Sequence, residues 1–160
     1  MFNPDRPPAP TRDTFCRIVL QEVGKPGEER IRAYHSSAFG REWVGKSLHW
    51  CGIFGLWGLH ESGIALSVFW RMGGGFCEEQ RLTRVKLPEP GDIAYFDKPF
   101  QHHAVVVAVD ADAGTFDSCD GNQPGDTVQH KTGIPLVKPT CFYSIAKLLE
   151  RDTDPAPEPE

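Results

Sequence analysis

The sequence is poor in the features that mark proteins which bind nucleic acid or cross membranes. Asp and Glu (22) outnumber Lys and Arg (17), which gives a formal net charge of −5, and no basic run occurs. Binding to nucleic acid or anionic lipid depends on clustered Lys and Arg, so this balance argues against both partners. The longest apolar stretch, residues 53–70, is broken by glycines, His60 and Glu61. We therefore expect no nucleic acid as a partner and no membrane insertion.

The first ten residues also lack the apolar run of a signal peptide and carry prolines and charges instead. Residues 1–10 and 151–160 are rich in proline, which predicts two flexible tails. Residues 11–150 have the length of a single domain with one core. The sequence therefore predicts a monomeric, one-domain protein that is made in the cytoplasm without an export signal.

Cysteine usage argues against a disulfide scaffold and against structural zinc. The five cysteines are an odd number at irregular spacings, and no Cys-x-x-Cys pair occurs. The glycines at residues 73–75 lack the Lys-Ser/Thr that would follow in a phosphate-binding loop. The aspartates between residues 110 and 117 lack the glycine and terminal Glu of an EF-hand loop. No cofactor or metal is implied, and four of the five cysteines are expected to be small buried hydrophobic residues.

Three segments in the first half have the pattern of helices. Apolar residues recur at helical spacing between an N-cap at Thr11 or Asp13 and a stop at Gly24. Residues 28–39 show a weaker form of this pattern. Residues 50–60 are apolar on nearly every side, which predicts a helix buried in the centre of the domain. Three glycines spaced three apart in this segment predict a close approach of the helix to a sheet.

After residue 90 the hydrophobic period changes to two, which is typical of strands separated by turns. The predicted strands are residues 93–97, 103–110, 115–119, 128–131 and 141–148. Strands joined by such short turns form an antiparallel sheet. Helices followed by strands predict an α+β fold.

Chemistry-bearing residues lie at the ends of these elements. Cys51 starts the buried helix, where unpaired amide groups and the helix dipole lower a thiol pKa and where its backbone N–H can form part of an oxyanion hole. His103 opens an apolar strand, which suits a general base, and His102 is then expected on the opposite face. Asp120 and Asn122 end the next strand, so either could orient the imidazole of His103. Taken singly, each feature also fits a core cysteine, a loop histidine or an ordinary turn.

Together these residues resemble the CHAP domain, the cysteine, histidine-dependent amidohydrolase/peptidase family within the papain-like and NlpC/P60-like peptidoglycan hydrolases. Residues 50–54 (Trp-Cys-Gly-Ile-Phe) are similar to the family's Trp-Cys-Ala-x-Phe helix start, and residues 90–92 match its Pro-Gly-Asp. Residues 103–107 (His-Ala-Val-Val-Val) resemble its His-Val-Gly-Ile-Val, and residues 120–122 resemble its Glu-Gly-Asn. The order of Cys, His and acid fits over most of residues 12–149, and the spacing of His and acid favours CHAP over NlpC/P60. Two departures are Asp120 in place of Glu and Val105 in place of Gly.

The resemblance implies a papain-like fold in which a helical N-terminal half packs on a small antiparallel sheet. It implies the catalytic set Cys51, His103 and Asp120, with Asn122 as the alternative orienting residue and the Cys51 N–H in the oxyanion hole. The implied activity is hydrolysis of amide bonds in the peptide part of bacterial peptidoglycan, as an N-acetylmuramoyl-L-alanine amidase or an endopeptidase.

Such an enzyme would act in the periplasm or cell wall and needs a way to get there. Delivery would depend on a holin-type partner for a phage lysis protein, or on secretion for an antibacterial toxin with a cognate immunity protein. Two other functions fit the same residues. One is a non-catalytic cell-wall-binding or virion module of this fold, and the other is a protein-directed cysteine protease or deamidase.

Overall fold

The computed structural model describes residues 4–5, 9–39, 49–64 and 82–150. Three helices come first: α1 (Arg12–Leu20), α2 (Glu28–Phe39) and α3 (Cys51–Glu61). The strands that follow are β1 (Thr83–Val85), β2 (Ile93–Phe96), β3 (His102–Asp110), β4 (Thr115–Gln123), β5 (Thr127–Pro135) and β6 (Cys141–Ser144), before a short helix α4 (Ala146–Leu149).

The strands form one antiparallel sheet in the order β1-β6-β2-β3-β4-β5. The predicted α+β class is therefore confirmed. Within the described ranges, no helix combines the length and apolar character needed to cross a bilayer. The predicted tails lie largely outside the described residues, and Cys77 and residues 73–75 lie wholly outside them.

Helix α3 forms the centre of the main core. Residues 51–59 are all buried, so the helix has no solvent-facing side over most of its length. Its apolar side chains pack with those of α1, α2 and one face of the sheet. The prediction of a buried central helix over residues 50–60 is confirmed.

Two glycines set the distance between α3 and its neighbours. A Cβ at Gly58 of α3 would meet Val19 Cγ1 at 2.6 Å and Phe15 Cε1 at 2.8 Å, and both of these side chains belong to α1. At Gly58 the close approach is therefore to a helix, and the predicted approach to the sheet is wrong for this position. The sheet comes close to α3 at Gly121 of β4, where a Cβ would meet Phe54 Cβ at 2.7 Å.

The ends of several elements differ from the predicted ends. Helix α1 stops at Leu20, and a turn with hydrogen bonds from residue i to residue i−3 continues to Gly24, whose φ is +82°. Strand β6 stops at Ser144, because the next backbone N–H, that of Ile145, donates to the side chain of Asp92. The remainder of the predicted strand 141–148 is the helix α4. Strand β1 was not predicted, since three residues are too short to show an alternation.

Strand β4 extends through the Asp-Gly-Asn sequence that was predicted to end it. A β-bulge between Asp120 and Gln123 absorbs the turn-forming residues, with Asn122 at φ 54°. Asn tolerates this left-handed conformation better than most residues. Because pairing with β5 resumes at Gln123, Asp120 lies within β4 and does not end the strand.

The Pro-Gly-Asp segment ties three elements together through the carboxylate of Asp92, which is 1% exposed. Its Oδ1 accepts hydrogen bonds from Arg12 Nη1 at 2.6 Å and from the backbone N–H of Ile145 at 3.0 Å. Its Oδ2 accepts from the backbone N–H of Glu89 at 2.8 Å. These bonds join the start of α1 to the turn before β2 and to the end of β6. Asp92 therefore has a structural role.

We predict that Gly121→Ala destabilises the protein by about 1–3 kcal/mol, because the new methyl group meets the Cβ of Phe54, which cannot rotate away. Urea denaturation followed by circular dichroism measures the loss. Gly27→Ala is the control, because a Cβ there meets no atom of the described residues within 4 Å. Equal stability of the Gly121→Ala and Gly27→Ala proteins would contradict the close packing of β4 on α3.

Candidate active site

Cys51 is the first residue of α3, and it is 7% exposed. The N-cap residue, Trp50, makes no side-chain capping hydrogen bond, and its carbonyl oxygen accepts from the N–H of Phe54 at 2.8 Å. The amide groups of a helix's first turn have no acceptor within the helix. The thiol of Cys51 therefore lies beside donors and at the positive end of the helix dipole, as predicted from the sequence.

His102 and His103 are the first two residues of β3, and their rings lie against different neighbours. The His103 ring is 5.0 Å from that of Tyr95, whereas the His102 ring is 5.8 Å from that of Phe96. Val105, two residues after His103, belongs to the main core on the helix side of the sheet. Its neighbours Ala104 and Val106 belong to a second cluster of buried residues. The two histidines thus lie on opposite faces of β3, as predicted.

The buried carboxylate of Asp120 is held by three side chains. Its Oδ2 accepts a hydrogen bond from His102 Nε2 at 2.6 Å and lies 3.5 Å from Lys131 Nζ. Its Oδ1 accepts a hydrogen bond from the hydroxyl of Ser118. The Asp120 side chain is only 3% exposed, so these contacts replace water around the carboxylate.

The predicted pairing of Asp120 with His103 is therefore wrong, since the imidazole that contacts Asp120 is that of His102. The cause is a β-bulge in β3. Near the hairpin turn, Ala108 pairs with Asp117, but beyond the bulge the register shifts by one residue and Val105 pairs with Cys119. A shift of one residue exchanges the faces of all later side chains. Without the bulge, the register at the turn would have continued along the strands, and Asp120 would have lain on the same face as His103.

Asn122, the alternative orienting residue, lies in the bulge of β4. The contact with an imidazole comes from Asp120 and not from Asn122. Of the two candidates, the structure brings Asp120 to a histidine.

The electrostatics of these groups favour a thiolate–imidazolium pair. Burial alone would raise the pKa of Cys51, but hydrogen bonds with the side chains of His102 and His103, together with the charge on His102, lower the pKa to about 5. Burial would lower the pKa of His102, but hydrogen bonds to Asp120 and Cys51 raise it to about 9. The Cys51 thiolate predominates above about pH 5, and the His102 imidazolium predominates below about pH 9. Both charged forms are therefore present together between about pH 5 and pH 9.

Asp120 supplies the negative charge that stabilises the imidazolium. Burial opposes ionisation of its carboxyl group, but the hydrogen bond and charge of His102, the Ser118 hydroxyl and the Lys131 ammonium hold its pKa below the usual range. Asp120 therefore stays ionised over the whole range in which the thiolate–imidazolium pair exists.

Three other cysteines lie in the described ranges, and the prediction of a buried residue is wrong for Cys141, which is half-buried. Burial is the main cause that raises the pKa of Cys16 to about 11, and burial also raises the pKa of Cys119. Both thiols donate hydrogen bonds to backbone carbonyl oxygens, those of Val106 and Val19. Cys16 and Cys119 are thus buried and neutral, as predicted, and Cys51 differs from them in its neighbours.

An open cleft of about 750 Å³ gives access to these groups; we call it the candidate cleft. Cys51, both histidines and Asp120 are among its lining residues. Its other lining residues come from β2, β4 and β5, from the loops that follow β2 and β5, and from the segment before α3, and they are His49, Phe96, Asp97, Lys98, Pro99, Phe100, Gln101, Asn122, Gln123, Lys131, Ile134 and Lys138. Its size is suited to a short peptide segment or a small molecule.

Among the described residues, no group of three or more His, Cys, Asp or Glu side chains has the geometry of a metal site. Comparisons with known proteins found no matching family model, no significantly similar curated protein and no significantly similar solved structure.

Two residues of the site were not identified from the sequence. Ser118 and Lys131 lie opposite each other on β4 and β5, and both contact Asp120. A polar residue two positions from Asp120 on the same strand shares its face, which would have been a signal for Ser118. Lys131 could be found only from the register of β5, which the bulges of β4 alter.

We predict that the rate at which iodoacetamide alkylates Cys51 rises with pH through a midpoint of about 5, because the thiolate is the reactive form. His102→Ala should raise the midpoint further than His103→Ala, since only His102 contributes its charge as well as a hydrogen bond. Peptide mapping by mass spectrometry follows each cysteine, and Cys16 serves as the unreactive internal control. A midpoint near the ordinary thiol value of about 8.5 in the parent protein would refute the ion pair.

Proposed function

We propose that the protein is a papain-like cysteine hydrolase that cleaves amide bonds in the peptide part of bacterial peptidoglycan. The observation that carries the proposal is the contact of Asp120 with His102, beside a thiol whose pKa is about 5. Nucleophile, base and orienting acid are then Cys51, His102 and Asp120, in the chain order of the CHAP-like motifs. His102 replaces His103 in the role that the sequence assigned.

The proposed reaction is acyl transfer through a thioester. The Cys51 thiolate attacks the amide carbonyl carbon, and the carbonyl oxygen takes up the negative charge. The C–N bond breaks as the His102 imidazolium gives its proton to the leaving amine. His102 then removes a proton from water, whose oxygen attacks the thioester. The peptide acid is released and the Cys51 thiolate returns.

The start of α3 suits the charge that develops on the carbonyl oxygen. The Cys51 N–H belongs to a first turn without a side-chain cap, so it can donate to an oxyanion. One such donor contributes about 2.7–4 kcal/mol to transition-state stabilisation in related chemistry. Asp120 would act by holding the imidazole in place and stabilising its protonated form.

The same electrostatics favour an enzyme over a catalytically silent module of this fold. A binding module has no need for a buried thiolate, and burial would keep an unassisted thiol neutral, as it does Cys16. The choice of peptidoglycan over a protein substrate is supported by the resemblance of the Cys, Pro-Gly-Asp and acid segments to CHAP motifs.

We predict that Cys51→Ala abolishes release of peptides from purified sacculi, and that His102→Ala lowers the rate roughly 10²–10⁴-fold, as loss of a general acid–base does. His103→Ala should cost less, because Asp120 contacts His102. The parent rate should be highest between about pH 5 and pH 9, where thiolate and imidazolium coexist. Mass spectrometry of the products measures the rates and identifies the bond that is cut.

Asp120→Asn separates the role of the acid from that of the base. Loss of the carboxylate removes a cause that raises the pKa of His102, so the alkaline limb of the pH profile should move below about 9. Gln129→Ala, an exposed change on the neighbouring strand opposite Asp120, is the control and should leave the profile unchanged. A larger loss from His103→Ala than from His102→Ala would overturn the assignment of the base.

We predict that toxicity to a Gram-negative host depends on the compartment, because peptidoglycan lies outside the inner membrane. The chain should be tolerated in the cytoplasm, whereas a fusion to an export signal should round or lyse the cells. The exported Cys51→Ala protein is the matched control, and cell lysis is followed by optical density. Toxicity of the cytoplasmic form alone would favour a protein-directed protease or deamidase.

A further inference from the structure

The candidate cleft is more basic than the rest of the chain. Three of the seven lysines in the sequence line it, namely Lys98, Lys131 and Lys138. By contrast, among the described residues only two of the chain's 22 acidic residues line it, Asp97 and Asp120, although the whole chain has a formal charge of −5. This distribution gives the cleft a positive potential that would attract an anionic group.

One of the three lysines, Lys131, is already paired with a carboxylate of the site. Lys131 lies 3.5 Å from the carboxylate of Asp120, which also binds His102. Lys98 and Lys138 differ, because both are exposed and neither forms a salt bridge within the part of the chain that the structure describes. These two ammonium groups are therefore available to a ligand.

The sheet brings Lys98 and Lys138 to the same end of two neighbouring strands. β2 and β6 pair antiparallel, and their last pair at this end is Tyr95 with Cys141. Lys98 follows Tyr95 by three residues and Lys138 precedes Cys141 by three, while the backbone N–H of Thr140 donates to the Tyr95 carbonyl at 2.8 Å. Both lysines line the candidate cleft, so an anion bound at this end of it would lie near two positive charges.

We propose that Lys98 and Lys138 form a carboxylate-binding subsite, so that the enzyme acts on acidic peptides with a free carboxylate close to the cleaved amide. This inference rests on the proposed function, since it names the substrate class of the same site. Phe100, which is 81% exposed and follows Lys98 by two residues, offers apolar surface to the rest of the peptide.

The test compares two synthetic muropeptides of one sequence, N-acetylmuramoyl-L-Ala-γ-D-Glu-L-Lys-D-Ala, that contain both the sugar-to-Ala amide and the peptide amides and differ in a single group. The α-carboxyl group of the D-Glu residue is free in one and is a carboxamide in the other. We expect the wild-type protein to cleave the free acid with the higher kcat/KM. The preference should shrink as ionic strength rises, because salt screens exposed charges.

Substitutions of Lys98 and Lys138 test whether these two residues cause the preference for the free-acid peptide. Lys98→Met and Lys138→Met should each reduce the ratio of the two kcat/KM values by roughly two- to fivefold, as expected for exposed charge pairs. The kcat/KM for the free-acid peptide should fall further than that for the carboxamide peptide. Lys86→Met is the matched control, because Lys86 is exposed and lies outside the cleft lining.

Binding of the same peptides to the Cys51→Ala protein, measured by calorimetry, separates failure of the subsite from failure of the proposed function. The subsite alone is overturned if both peptides are cleaved with equal kcat/KM. It is also overturned if the protein that carries both Lys98→Met and Lys138→Met still prefers the free acid. If neither peptide is cleaved but the free acid binds more tightly in a lysine-dependent way, the subsite stands and the hydrolase is wrong. Neither cleavage nor selective binding overturns both.

Discussion

The candidate site depends on the hydrogen bond from His102 to the buried carboxylate of Asp120. An isolated carboxyl group at this depth would be neutral, because burial disfavours its charge. The contact with His102, supported by Ser118 and Lys131, keeps it ionised. The carboxylate in turn favours the imidazolium, and the imidazolium favours the thiolate of Cys51. Negative and positive groups thus alternate in the order Cys51, His102, Asp120 and Lys131. Removal of one of these groups disfavours the charged form of its neighbours.

Local signals in the sequence were enough to place the candidate nucleophile, Cys51, at the start of α3. The apolar run of α3, with Cys51 at its start, depends on residues that follow one another in the chain, and both predictions are confirmed. The choice between His102 and His103 depends instead on which face of β4 carries Asp120. That face is set by the register between two strands, and a bulge changes it. No glycine or proline marks the bulge, so the sequence offered no reason to expect it.

Bulges in two neighbouring strands flank the site, and each has a definite effect. The bulge between Val106 and Ala108 transfers Asp120 to the face of His102. The bulge between Asp120 and Gln123 lets the turn-forming Asp-Gly-Asn sequence continue a strand, and it leaves Gly121 against Phe54 of α3. Bulges commonly occur where a sheet must redirect a side chain near a functional site. Here they bring the polar end of the sheet to the start of the helix.

The buried cysteine thiols of this domain have pKa values shifted in opposite directions, and the difference comes from the groups around each thiol. Cys16, Cys51 and Cys119 are all buried, so burial alone would raise the pKa of each. Only at Cys51 do two imidazoles compensate the cost of a buried charge, because only there does a helix begin beside the first residues of β3. The low pKa of Cys51 therefore comes from the junction between α3 and the sheet, where the two histidines reach the thiol, and burial alone would have the opposite effect.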